Sequence, residues 1–225
     1  MTLDAKRIVA EGYDALAERF EEWQARVEGD PKPRMLERFM AEVQAGGEVV
    51  DLGCGSGAVT ALLAERFSVT GYDISKEQVR LASSRVPAAT FVRADMTAVE
   101  RPAASVDGMC ALYSLTHLPA AEQSPMLRRM AAWLRPGGAL LASLGTSGGD
   151  WTGVWLGVPM FFSSVDPDEA RGALIAAGLQ ILVDETVTMR EPEGDATFLW
   201  LLARNSGVRH GIAVPDLDVG ARAEV

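Results

Sequence analysis

The chain is poor in the residues from which disulfide and metal sites are built. Among 225 residues there are two cysteines, Cys54 and Cys110, and two histidines, His117 and His210. Two cysteines cannot make a disulfide framework. Both fall at expected strand ends or turns, and a reduced, cytoplasmic setting is the expectation. No His/Cys cluster has zinc spacing, and no carboxylates converge as a catechol-type metal site would require, so metal independence is expected. Positive charge is also scarce. Twenty-one Lys and Arg face 31 Asp and Glu, a net charge of −10, which argues against nucleic acid because phosphate binding needs stripes of Lys and Arg. No stretch of about 18 apolar residues is long enough for a membrane span. The first residues show no basic start followed by an apolar run, so no secretory signal is expected.

What is present is an ordinary globular composition, 48% hydrophobic and 23% charged, enough for one core. Apolar residues Ile8, Val9, Tyr13, Leu16, Phe20 and Trp23 recur at helical steps and predict a helix over 4–27. Gly29-Asp30-Pro31 breaks it, and a second helix runs to Gly46-Gly47. Strands are then predicted at 48–52, 68–72, 90–93, 106–112 and 139–144. Helices alternate with them over 58–67, 76–85 and 121–134, and Arg135–Gly138 reads as a turn. This alternation predicts a doubly wound parallel α/β sheet. Beyond Gly145 an aromatic-rich, loop-like insertion runs to Phe162. A helix over 167–177 follows, capped by Asp166, and then two long strands joined at Glu191–Asp195 close the sheet as an antiparallel hairpin. The expected divisions are a helical cap at 1–45, a ligand-binding domain at 46–205 with a substrate-side insertion at 145–165, and a mobile tail at 206–225.

The most informative stretch is Glu48-Val49-Val50-Asp51-Leu52-Gly53-Cys54-Gly55-Ser56-Gly57. An apolar strand breaks into a turn with glycine at alternate positions, where backbone must pass close to a ligand. Ligands of doubly wound sheets bind at the carboxyl ends of the strands. The second strand ends at Asp73, whose carboxylate can accept from both hydroxyls of a ribose. The third ends at Asp95-Met96, where a carboxylate can accept from an exocyclic amine and a Met can pack on a flat base.

This pattern resembles class I S-adenosylmethionine (SAM)-dependent methyltransferases of the small-molecule type, over roughly residues 45 to 145, with the closing hairpin adding support to about 204. The fold then implied is a Rossmann-like seven-stranded sheet with a C-terminal antiparallel hairpin and an N-terminal helical extension. The cofactor implied is SAM, leaving S-adenosylhomocysteine. The resemblance puts the methionine part on the turn after Asp51, formed by Gly53, Cys54, Gly55 and Gly57. It puts the ribose on Asp73 beside Ile74, the adenine on Asp95 and Met96, and the amino acid end near the Ala111 backbone. Tyr13-Asp14-Ala15-Leu16-Ala17 is similar to an N-terminal helix whose Tyr closes over the cofactor.

His117, just past the fourth strand, is the candidate general base; bracing of its loop is the alternative. Substrate candidates are Trp23, Ser114, Thr116, Asp150, Trp151, Trp155, Met160 and Phe161, whose aromatic character suits an apolar or planar small molecule. The expected reaction is O- or N-methylation of a small organic molecule by a monomer or homodimer, with neither nucleic acid nor membrane as partner. Three alternatives stay open: methylation of a protein or peptide, NAD-dependent oxidoreduction, because Gly53-x-Gly55-x-x-Ala58 also fits a dinucleotide fingerprint, and cofactor binding without catalysis.

Overall fold

A computed structural model describes residues 2–17, 19–146 and 148–207; the mobility expected of the tail falls mostly on 208–225, outside the described residues. Three helices come first, α1 Thr2–Leu16, α2 Arg19–Gln24 and α3 Lys32–Glu42. The alternating part is β1 Glu48–Leu52, α4 Ala58–Ala64, β2 Ser68–Asp73, α5 Lys76–Arg85, β3 Thr90–Arg93, β4 Val106–Ala111, α6 Ala120–Trp133 and β5 Leu134–Gly145. A two-stranded ribbon, β6 Trp151–Trp155 and β7 Val158–Phe162, precedes α7 Pro167–Ala176 and the closing pair β8 Leu179–Glu191 and β9 Gly194–Asn205.

Seven strands form one sheet in the order β3-β2-β1-β4-β5-β9-β8. The first five are parallel, and β9 enters antiparallel between β5 and β8. The order reverses between β1 and β4, which places the crevice at their carboxyl ends. Apolar cores fill both faces. Leu127, Met130 and Leu174 pack from α6 and α7 on one side. Phe39, Leu36 and Leu63 pack from α3 and α4 on the other. A third, smaller core joins α1 to the ribbon through Val9, Leu16, Met160 and Phe161.

Three local expectations are corrected. The helix expected over 4–27 is two helices, and the second redirects Phe20 and Trp23 into a stacked pair 5.7 Å apart facing Trp155. The insertion expected as a loop is the β6–β7 ribbon. Its turn residues Leu156 and Gly157 both have positive φ, +49° and +81°, the pattern of the tight turns that match strand twist. Arg135–Gly138 lies within β5 as an irregularity, because Pro136 offers no N–H and Gly137 turns to φ +85°; pairing with β4 resumes at Ala139. The β8–β9 turn is as expected, with Pro192 and Glu193 joining the strands.

Candidate functional site

A cavity of about 120 Å³ opens at the carboxyl ends of β1, β2, β3 and β4, lined by Gly53, Gly55, Asp73, Ile74, Asp95 and Met96, with Tyr13 and His117 above them. Gly53 lies so close to β4 that a Cβ there would sit 2.2 Å from the Ser114 Cβ, and its φ is +75°, so no side chain is tolerated. Four of the turn's five amides are paired within the protein. Gly53 and Cys54 N–H donate to the Tyr72 carbonyl, and Gly57 N–H donates to Cys54. Gly55 N–H donates to Asp73 Oδ2 at 2.9 Å. An acidic wall stands beside the turn. Asp73 also accepts from Ser75 N–H at 2.9 Å. Burial pushes its carboxyl above the usual range against the pull of those amides. Ser75, not Asp73, caps α5, accepting from Gln78 N–H, which leaves the Asp73 carboxylate facing the cavity.

At the far end Asp95 is held by its own turn, with Oδ1 accepting from Thr97 N–H and Oγ1 at 2.9 Å. Its Oδ2 meets the Lys6 ammonium at 2.9 Å. Lys6 also contacts Glu122 at 2.8 Å and donates to Thr97 Oγ1 at 2.6 Å, so α1 is tied down over this end. Asp14 fastens the same helix by accepting from Ser75 Oγ at 2.6 Å.

A second, larger cavity of about 410 Å³ adjoins the first, and Tyr13, Phe20, Tyr113 and His117 line both. Its walls include Trp23, Trp151, Trp155, Phe162 and Phe198. Trp23 and Trp155 meet edge to face at 5.0 Å, and Trp23 Nε1–H donates to Glu193 at 2.6 Å. Glu28 and Arg190 exchange backbone hydrogen bonds, so the segment after α2 is stitched to β8 as a roof. At the junction Tyr13 O–H lies 2.8 Å from His117 Nε2, and His117 Nδ1 lies 2.8 Å from the Phe161 carbonyl. A carbonyl only accepts, so Nδ1 carries the proton and Nε2 accepts from Tyr13. Burial pushes His117 down to about 4, and it is neutral near pH 7.

Residues 49–138 match the family described as methyltransferase domain. The strand order agrees with that match. Residues 49–138 are a class I SAM-dependent methyltransferase domain. Its relatives include a trans-aconitate 2-methyltransferase of Paracidovorax citrulli, 40% identical over 56% of this chain and 47% of the relative. Another is the 27-O-demethylrifamycin SV methyltransferase of Amycolatopsis mediterranei, 32% identical over 62% of this chain and 59% of the relative. The chain thus spans about half the length of such relatives. Among solved structures, the 1,6-didemethyltoxoflavin-N1-methyltransferase of Burkholderia thailandensis superposes with a TM-score of 0.68 at 21% identity, covering 92% of this chain and 91% of that one. That likeness shows the fold.

Within the methyltransferase domain the expected site residues separate into two groups. Tyr13, Gly53, Cys54, Gly55, Asp73, Ile74, Asp95, Met96, Ser114 and His117 meet in the first cavity. Trp23, Thr116, Trp151 and Trp155 meet in the second. The others support the walls from behind. Asp51 is buried and accepts from Thr60 Oγ1 at 2.7 Å. Gly57 leaves room for Ala82 and Val86 of α5. Ala111 is fully buried in the sheet, and Met160 packs beneath Gly12 of α1. Phe161 offers its carbonyl to His117, and Asp150 caps α6 by accepting from Ala120 N–H and Ser163 Oγ. Sequence reasoning did not single out Lys6, Asp30, Lys32, Tyr113 or Glu191 as site residues. For Tyr113 a signal existed, since it lies just past the fourth strand beside Ser114. Its φ is +58°, a conformation costly for a non-glycine residue and concentrated at functional sites. Its O–H donates to Asp30 Oδ1 at 2.5 Å.

Proposed function

We propose that the chain transfers the methyl group of SAM to a hydroxyl or amino group of a small, flat, largely apolar molecule held in the second cavity. The observation that carries this reading is the pair of cavities joined at Tyr13, Tyr113 and His117, an acid-lined cleft at the strand ends opening into an aromatic chamber. The donors of SAM match the acceptors of the first cavity: ribose hydroxyls to Asp73, the adenine amine to Asp95 with Met96 against the ring, and the methionine part along Gly53–Gly55. Lys6 shares Asp95 and closes α1 over the base. SAM supplies a methyl on a sulfonium, displaced in line by the acceptor. The chain's contribution is then chiefly to hold a nucleophile about 3 Å from that methyl and to exclude water. His117, with both ring nitrogens engaged, holds Tyr13 over the junction.

Among the described residues the second cavity carries Asp30, Glu191 and Asp195 against one cation, Lys32, which is itself 3.3 Å from Asp30. That balance repels a polycarboxylate, so an acceptor like trans-aconitate is disfavoured in spite of the relatives. The roof stitched by Trp23–Glu193 and Glu28–Arg190 favours a small molecule over a protein segment. Calorimetric titration with SAM, S-adenosylhomocysteine and NAD tests the cofactor. A panel of hydroxyl- and amine-bearing aromatics with methyl-labelled SAM tests transfer. Binding of the first two ligands, no binding of NAD, and label in an aromatic acceptor are expected. NAD binding, or label only in polycarboxylates or peptides, would overturn the reading.

A further inference from the structure

Glu191 ends β8, half-buried, and lines the second cavity together with Trp23, Trp155, Tyr13 and Tyr113. Burial pushes the phenols of both Tyr13 and Tyr113 upward and the Glu191 charge adds to it, which puts Glu191 within electrostatic reach of the junction where the cavities meet. The other titratable groups there are occupied or exposed. Asp30 accepts from Tyr113 and pairs with Lys32. His117 has both nitrogens engaged, and Asp195 is exposed. Among the described residues the Glu191 carboxylate has no hydrogen-bond or ion-pair partner. A half-buried carboxylate in an aromatic chamber is costly without a partner; an acceptor bearing an O–H or N–H supplies one.

We propose that Glu191 is a catalytic residue: it accepts a hydrogen bond from the acceptor's O–H or N–H and takes that proton as the methyl group is transferred. The proposal rests on the methyltransferase reading above. The acceptor's lone pair forms the new bond to the methyl carbon. The carbon–sulfur bond breaks and its electron pair stays on sulfur, cancelling the sulfonium charge. The acceptor's proton passes to the carboxylate and then to water. Positive charge leaves sulfur as the negative charge on Glu191 is neutralised, so no net charge is stranded in the chamber.

The groups facing Glu191 are Tyr13 on α1, Asp30 and Lys32 at the start of α3, Tyr113 after β4, His117, and Glu193 and Asp195 across the hairpin. Burial first, then the nearby Glu193 charge, pushes its carboxyl up to about 7. Ionised Glu191 is the active form, so kcat/KM should rise with pH through about 7.

The experiment uses the full chain saturated with S-adenosylhomocysteine, with 2-naphthol and its O-methyl ether as probes, followed by turnover of naphthol with labelled SAM. The expected result is naphthol bound about 10-fold or more tighter than the ether, with that preference lost in Glu191→Gln. Turnover in that variant should fall about 100-fold or more, with SAM affinity and circular dichroism unchanged and the acid limb gone. Glu193→Gln, which removes a like charge, should move the limb to lower pH. Equal binding of naphthol and ether while methyl is still transferred, or a Glu191→Gln enzyme that keeps its rate and its acid limb, would overturn the role of Glu191 alone. SAM binding with neither probe bound would overturn the acceptor chamber and this role with it.

Discussion

On the proposed reading, Asp73 is the residue on which cofactor binding turns. Its carboxylate holds the Gly55 and Ser75 amides and still faces the cavity, so it organises the glycine turn and presents an acceptor at once. Asp73→Ala should weaken SAM binding by about 1–3 kcal/mol, roughly 5- to 150-fold; an unchanged Kd would remove Asp73 from the site. His117 is the contrasting case. Its position after β4 suggested a proton acceptor, but its Nε2 is taken by Tyr13 and burial holds the ring at about 4. His117→Ala should therefore loosen Tyr13, weaken SAM binding a few-fold and slow turnover, while the pH–rate profile keeps its limb near that of Glu191. A limb that vanishes in this variant would restore His117 as the base.

At the scale of elements, the parallel strands and the hairpin were legible because their signals are local. Val49-Val50 followed by alternating glycines, and Pro192-Glu193-Gly194 between two β runs, each specify their own turn. What was not legible depends on contacts far apart in the chain. Lys6 and Asp95 are 89 positions apart, Trp23 and Glu193 170, and Tyr113 and Asp30 83, so no spacing rule could have joined them. Glu191 was likewise read only as a turn residue. The burial that gives it chemical interest comes from α1 and α2 folding across the hairpin. Nor does sequence spacing say that Asp51 is buried and accepts from Thr60 of α4. The α1 latch is the clearest of these long-range devices. Lys6 sits between two carboxylates, and Lys6→Met would leave Asp95 and Glu122 without their cation. Because the group is partly solvated, a cost of about 1–3 kcal/mol is expected rather than the larger penalty of a fully buried pair. Amide hydrogen exchange should quicken in α1 and not in β1 or β4. Uniform quickening across the sheet would mean that the latch supports the whole fold rather than one element.

Over the whole molecule, the carboxylates are set against one another by pH. Burial raises Asp51 to about 6 and Glu191 to about 7, and raises Asp73 as well. Each holds in the fold a proton that the unfolded chain gives up near its ordinary range. Their contributions are therefore present at low pH and lost as pH rises through those folded values. His117 runs the other way. Its depressed value means that stability is lost as pH falls from about 6.5 toward 4. Asp95 and Glu21, held down by Lys6 and by Ser56 and Arg85, lose their contribution only in stronger acid. The net charge of −10 adds self-repulsion that grows with pH. Between about pH 6 and pH 8 the last part of the histidine contribution is gained while Asp51 and Glu191 finish ionising, and the two carboxylates outweigh it, so the denaturant midpoint of the free protein should fall over that range. SAM brings a cationic sulfonium and ammonium to the acidic wall, so it favours ionised Asp73 and binds more tightly as that group deprotonates. Saturating SAM should then flatten the part of the decline that Asp73 contributes, because the ligand's stabilising effect grows as that group deprotonates. Urea titrations at about pH 6, 7 and 8, with and without SAM, measure both slopes. A free-protein midpoint that rises across this range would mean that the raised carboxylates do not carry the fold's pH dependence. A parallel fall with SAM present would mean that the cofactor does not meet the ionised wall.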